Sequence, residues 1–411
     1  MKNIENEKIK AHSCLLAAIY VTVMLTIWTM LPDVAYAAPK GQTQQKAALR
    51  SSNWNKTFTT FTNYPVSVIA ASDGGSLVIG SKGESAKATG LALWVMKSDQ
   101  RGNKVWEKTF SPVKNSQNNG YAAFETRDGY LVTGRKDSSD YQRGGALQVE
   151  LWVLKMAKNG AILWEKAYGC RWGDISSGEG RSIIQTDDGG ILVAGFGSVG
   201  GAQEAWLLGL DKNGNKQWEK FLGPADSSIA PVSLVQTTAG KIFAAFTSPS
   251  ERIIVAKLDS GGAIVWRRQI DQYQRSNLGS LRATRDGGFI LAGGANGQGL
   301  LMKFNSDGSP DWRRTFNTKG ISAKLYAVAE TADDRLIAVG GISEGKARLW
   351  ILQTDQQGTV IKDQDISDKR LATGYAVAQT SDGGFNMAGL NDTGNAIWLM
   401  KLDQTGVLLG N

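Results

Sequence analysis

Beyond residue 50 the apolar positions come in short runs rich in Val, Ile, Leu and aromatic residues, such as Tyr375 to Gln379, Phe385 to Ala388 and Ile397 to Leu402. Each run is of strand length and bounded by Gly, Asp or Asn, which predicts antiparallel strands joined by tight turns. The runs group into a unit of about 46 to 60 residues with three landmarks in fixed order. The first is a T-x-D-G-G turn around Asp73, Asp128, Asp188, Asp286 and Asp382, with degenerate copies at Ala239 and Asp333. The second is an apolar run with a central tryptophan, as in Ala396 to Asp403, and the third is D-x-x-G-x-x-x-W, clearest in Asp211 to Trp218. Asp-Gly-Gly and Asn-Gly supply the positive φ angles of tight hairpins, and the Asp and Asn side chains bond the local backbone. Each unit therefore reads as four strands, the first two joined at the D-G-G turn and the last two at the D-x-x-G turn.

Counting D-G-G landmarks gives seven units. The last unit reaches Gly406 and runs out at Asn411 without its fourth strand, whereas Trp54 to Phe58 (WNKTF) matches Trp106 to Phe110 (WEKTF) and Trp312 to Phe316 (WRRTF). The expected fold is all-β: a single seven-bladed β-propeller with four antiparallel strands per blade, its ring closed by the N-terminal strand, which removes the exposed strand edges of an open ring. The expected organisation is a signal peptide over 1–37, a linker over 38–53 and the propeller over 54–411.

The leader rests on Lys8 and Lys10 before an apolar run from Leu15 to Leu31, followed by Ala35-Tyr36-Ala37 ahead of Ala38 and Pro39. That is the order of a secretory signal, with an uncleaved anchor as the alternative, and it predicts a periplasmic or extracellular protein with no stable membrane span after cleavage. Cleavage removes His12 and Cys14, leaving no histidine and one cysteine, Cys170. Histidine-dependent triads, histidine general bases and histidine metal ligands are thereby excluded from the mature chain, and burial rather than disulfides must stabilise it. The leader holds three basic residues (Lys2, Lys8, Lys10) and three acidic ones (Glu5, Glu7, Asp33), so the formal charge of +8 stays with the mature domain. A basic exported surface suits acidic glycans or anionic headgroups, and equally serves solubility; no dense basic run points to nucleic acid.

The stretch Tyr168 to Gly223, with YGC, SIIQTDDGGILVAG and WLLGLDKNGNKQWEKFLG, resembles the repeat of a broad group of exported prokaryotic propeller proteins, and the likeness extends over the whole mature chain with varying fidelity. The third landmark is also distantly similar to the repeat of pyrroloquinoline quinone propellers, with one residue fewer between Asp and Gly. The resemblance implies a fold, and one fold hosts many functions.

Eleven tryptophans fall in repeat slots, five on third strands (Trp94, Trp152, Trp206, Trp350, Trp398) and six on fourth strands (Trp54, Trp106, Trp164, Trp218, Trp266, Trp312). Packing between or within blades accounts for all of them. Trp172 lies off the pattern, in Tyr168 to Asp174, on the rim shared with the long loop from Arg135 to Glu150. The candidate ligand site is therefore Trp172 and Tyr141 as stacking surfaces, Arg135, Arg143 and Arg171 for acidic groups, and Asp174 beside them. A mobile loop with a buried Trp172 is the competing reading. No metal and no cofactor are expected, because the acidic turns lack the alternating ligands and terminal glutamate of a calcium loop.

No catalytic residue can be assigned. The leading expectation is a non-catalytic binding or assembly module for a protein or acidic polysaccharide partner. A glycan-acting hydrolase or lyase is the alternative, discriminated by two acidic groups with an arginine at the channel mouth; the third landmark differs in spacing from the Asp-box of sialidases. A quinone-dependent periplasmic dehydrogenase is the second alternative, weakened by the absence of the adjacent cysteine pair common in those enzymes.

Overall fold

The computed structural model describes residues 53–60, 67–83, 90–111, 116–137, 149–169, 175–199, 202–224, 232–250, 252–270, 276–316 and 322–406. The described residues form strands and no helix, as the alternation required. The strands make four-stranded antiparallel arrays that follow one another along the chain and are named here by the residues they span: 67–110, 119–168, 175–224, 233–269, 276–316, 322–366 and 373–402. Arrays 119–168 and 175–224 join into one eight-stranded sheet through a lone parallel bridge, Ser177 to Val149. Array 373–402 supplies three strands itself, and its fourth is the N-terminal strand Trp54–Thr59, antiparallel to Ala396–Leu402 with Trp54 opposite Lys401 and Thr59 opposite Ala396.

The T-x-D-G-G landmark closes the first hairpin of an array. In the first copy, Gly74 takes φ 84°, which an L side chain rarely adopts, and Asp73 Oδ1 accepts the Gly75 amide at 3.0 Å. Threonine earns its place by donating to the same carboxylate, as from Thr284 to Asp286 at 2.7 Å and Thr126 to Asp128 at 2.8 Å. A further donor comes from the third strand: buried lysines 97, 155, 303 and 401 reach Asp73, Asp128, Asp286 and Asp382. These turn carboxylates are thus occupied by hydroxyl, amide and ammonium donors.

The third landmark works between arrays. The glycine of D-x-x-G receives the indole of the fourth-strand tryptophan from the preceding array: a Cβ built on Gly102 would lie 2.4 Å from the Trp54 ring, and one on Gly262 2.2 Å from that of Trp218. The indole N–H then donates to a carbonyl of the same turn, from Trp54 to Gln100, Trp106 to Lys158 and Trp312 to Gln356, at 2.8 to 3.1 Å. Between arrays 322–366 and 373–402, where the fourth strand Val360–Ile366 has no tryptophan, Gln353 and Gln364 donate to the carbonyls of Thr405 and Gly406.

Hydrophobic clusters fill the interfaces between successive arrays; Ile79, Leu93 and Val95, for example, pack on Tyr130, Val132 and Trp152. The third-strand tryptophans are at most 2% exposed. A cluster also joins array 67–110 to array 373–402, with Val68, Trp94 and Met96 against Ala388, Ile397 and Leu399 and with Trp54 and Phe58 at its edge.

Candidate functional site

First strands of all the arrays wall one cavity of about 790 Å³, to which Ser67, Phe124, Ile184, Gln236, Arg282 and Gln379 contribute from different arrays. On five of these strands the alternation is interrupted at corresponding places, and Ile175–Gln185 is interrupted a second time between Ile175 and Ser177. The register slips at Tyr121, Arg181, Gly279, Tyr326 and Tyr375, which are left opposite no partner. A bulge re-aims the inserted side chain and is enriched beside functional sites. Each bulge drives a first-strand carbonyl toward the second strand, where only glycine can receive it. A Cβ on Gly134, Gly195, Gly340 or Gly389 would lie within 2.0 Å of the carbonyl oxygen of Asn119, Glu179, Lys324 or Thr373, respectively.

The bulged residues collect chemistry that the sheet does not need. Arg181 stacks its guanidinium 3.9 Å from the Tyr121 ring centroid and donates to Glu179 at 2.7 Å, while the Tyr121 hydroxyl donates to Glu179 at 3.2 Å. Burial, reinforced by the Glu179 charge, pushes the Tyr121 phenol well above its ordinary range. On arrays 322–366 and 373–402, Tyr326 and Tyr375 face each other with centroids 4.7 Å apart, and Lys324 Nζ lies 4.8 Å from the Tyr326 centroid. Burial lowers the Lys324 ammonium to about 8, and burial together with Tyr326 raises Tyr375 to about 12. Lys324 Nζ has no hydrogen bond or ion pair among the described residues. Asn277 Oδ1 and Ser280 Oγ are buried without hydrogen-bond partners among the described residues.

Of the six candidate residues read from the sequence, Arg135 lies among the described residues; Arg171, Trp172, Asp174, Tyr141 and Arg143 lie outside them. Arg135 stands opposite Asn119, two residues from Tyr121, and its charge acts on the Tyr121 phenol. Its buried Nε has no hydrogen-bond partner among the described residues. Sequence reading missed Tyr121, Glu179, Arg181, Lys324, Tyr326 and Tyr375, because an inserted residue breaks the period on which strand reading rests. A signal was present: Gly120-Tyr121-Ala122 and Gly374-Tyr375-Ala376 repeat a glycine-tyrosine step at the start of a first strand.

Residues 251–406 match the family described as outer membrane protein assembly factor BamB. A puromycin hydrolase structure is similar at 14% identity and a TM-score of 0.54, over 86% of this chain and 55% of that one. A puromycin-hydrolysing peptidase from Mycobacterium tuberculosis is similar at 11% identity and a TM-score of 0.50, over 84% of this chain and 54% of that one. The chain thus spans about half the length of these two proteins. Comparison with curated proteins finds no match. Together with the repeated four-stranded arrays, these likenesses define a β-propeller fold. It is distantly similar to the propellers of the pyrroloquinoline quinone type.

Proposed function

We propose that residues 54–411 form a seven-bladed propeller closed by its N-terminal strand, exported by a signal peptide over 1–37 followed by a linker over 38–53, and acting as a non-catalytic binding module for an acidic partner, a glycan or a protein segment. Seven blades follow if the eight-stranded sheet, held together by one bridge, is counted as two. Closure is supported by the pairing of Trp54–Thr59 with Ala396–Leu402 and by the Trp54 indole seated on Gly102. A buried bond from Asn386 Nδ2 to Ser76 Oγ, 2.6 Å long, further ties the last array to the first.

The tier of bulged residues carries the binding reading. Tyrosine faces, the cations Arg135, Arg181 and Lys324, and the unfilled Asn277 and Ser280 are suited to an acidic, hydroxyl-bearing ligand. From the sequence alone, Arg143, Arg171, Asp174, Tyr141 and Trp172 are proposed to contribute to the same binding function. The test is calorimetric titration of the full chain with trigalacturonate and, separately, with a hexaglutamate peptide. Binding of one of them should weaken with salt and fall at least about tenfold in Arg181→Ala, and in Trp172→Ala if the rim takes part. Failure of the wild type to bind either probe, or binding indifferent to Arg181→Ala, overturns the reading.

A further inference from the structure

In arrays 67–110, 119–168, 276–316 and 373–402 the turn carboxylate holds a lysine ammonium supplied at one register position of the third strand. Lys97 pairs with Asp73 at 2.8 Å, Lys155 with Asp128 at 2.5 Å, Lys303 with Asp286 at 2.5 Å, and Lys401 with Asp382. The same position in array 175–224 is Gly209, opposite Leu192 just as Lys97 is opposite Leu77. The carboxylate there is intact. Asp188 accepts from the Thr186 hydroxyl at 2.5 Å and the Gly190 amide at 3.1 Å, like its counterparts, but no cation pairs with it among the described residues.

The place of the missing ammonium can be located from its counterparts. A Cβ built on the second glycine of the turn would meet Lys97 Nζ at 2.6 Å on Gly75 and Lys303 Nζ at 3.1 Å on Gly288. On Gly190 the nearest atoms belong to Thr186, Asp188 and the Leu210 carbonyl, and no ammonium is there. A groove of about 600 Å³ opens at this point, between arrays 175–224 and 233–269, lined by Asp187, Asp188, Gly190, Gly209, Leu210 and Trp218. Trp218 leans over Gly209, 2.1 Å from where a Cβ would stand, so an indole face flanks the site. Asp187 adds a second carboxylate on the rim. The ingredients are a preformed carboxylate, an apolar floor and an aromatic wall, which recognise an ammonium on an aliphatic stem.

We propose that this groove receives a primary alkylammonium group from outside the chain, in the position that the chain's own lysines fill in four sister arrays. The same chemistry is carried by a free diamine and by a lysine side chain of a partner polypeptide. The site is separate from the bulge tier, and the proposal does not rest on the acidic-partner reading.

The full chain is titrated with n-butylammonium, with cadaverine and with the peptide Ac-Gly-Gly-Lys-Gly-Gly-NH2, following calorimetry and the change in total tryptophan fluorescence, with Trp218→Phe identifying the contribution of Trp218. Saturable millimolar binding of n-butylammonium is expected, with tetramethylammonium and the Nε-acetylated peptide at least about tenfold weaker, because a quaternary head has no N–H to donate to Asp188 and an amide head donates without a positive charge. A tighter cadaverine points to diamines, and a tighter lysine peptide points to a polypeptide source. Asp188→Asn keeps the turn acceptor and should abolish binding. Gly209→Lys should supply the missing ammonium internally and also abolish it; if the Trp218 clash prevents that variant from folding, Asp188→Asn still decides. Equal affinity for butylammonium and tetramethylammonium, retention of binding in Asp188→Asn, or no saturable binding overturns the proposal. Trigalacturonate binding at the bulge tier should be unchanged in Asp188→Asn, so failure here is distinguishable from failure of the acidic-partner reading.

Discussion

In the proposed closed ring the N-terminal strand is a structural member of the last blade, and deleting residues 50–60 tests it. Trp54 and Phe58 are half-buried against the cluster that includes Val68, Ile397 and Leu399. About 100 Å² of apolar area apiece at about 25 cal/mol/Å² gives ~2.5 kcal/mol for each and ~5 kcal/mol together. The strand's backbone hydrogen bonds, at about 1 kcal/mol net each, are offset to first order by the entropy of ordering the residues that make them, about 1–2 kcal/mol each. A loss of ~5 kcal/mol is comparable with the entire stability of an ordinary domain. The deletion should therefore lower the urea midpoint of the whole propeller, in a transition followed by both tryptophan fluorescence and circular dichroism. Trp54→Ala alone should lose ~2.5 kcal/mol, about 1 M in midpoint for an m-value near 2–3 kcal/mol/M. Trp106→Ala, which removes the corresponding indole from an interior position, is the control and should match Trp54→Ala. A deletion that moves the midpoint by less than about 0.3 M, or an unaffected Trp54→Ala beside a damaged Trp106→Ala, refutes the closure.

Two further outcomes test the packing and the electrostatics. Gly340→Ala should destabilise by about 2–4 kcal/mol, because its Cβ would stand 2.0 Å from the Lys324 carbonyl oxygen, whereas Gly169→Ala, with 3.4 Å of room, should change the unfolding midpoint little. Glu107 is pulled down to about 2: burial opposes ionisation, but the Lys104 and Lys82 ammonium groups and the Trp94 indole N–H outweigh it. A carboxyl depressed in the folded state stabilises above its unfolded value of about 4.3, and loses that contribution as pH falls toward its folded value. Glu107→Gln should cost about 1–2 kcal/mol at pH 7, with the difference from wild type shrinking between about pH 5 and pH 2 in parallel urea titrations. A gap that stays constant across that range would contradict the assignment.

Sequence alone determined the strands, their grouping in fours and the turns, because these depend on local chemistry. Apolar alternation is legible within a run, and the Thr, Asp and Gly of T-x-D-G-G act on one another inside five residues. The tryptophans were legible as packing residues, but not their partners. Trp54 meets Gly102 and Trp106 meets Gly160, so the two ends of D-x-x-G-x-x-x-W serve different interfaces, and only the stacking of arrays brings the halves together. The tier of Tyr121, Arg181, Tyr326 and Tyr375 depends on bulges that break the two-residue period, and its members come from strands far apart in the chain. The unneutralised Asp188 was on view in the sequence as one more turn aspartate. Its meaning came from the third strand, where the register sets Gly209 in the place of a lysine, and register is decided by pairing across the sheet rather than by the residues of either strand alone.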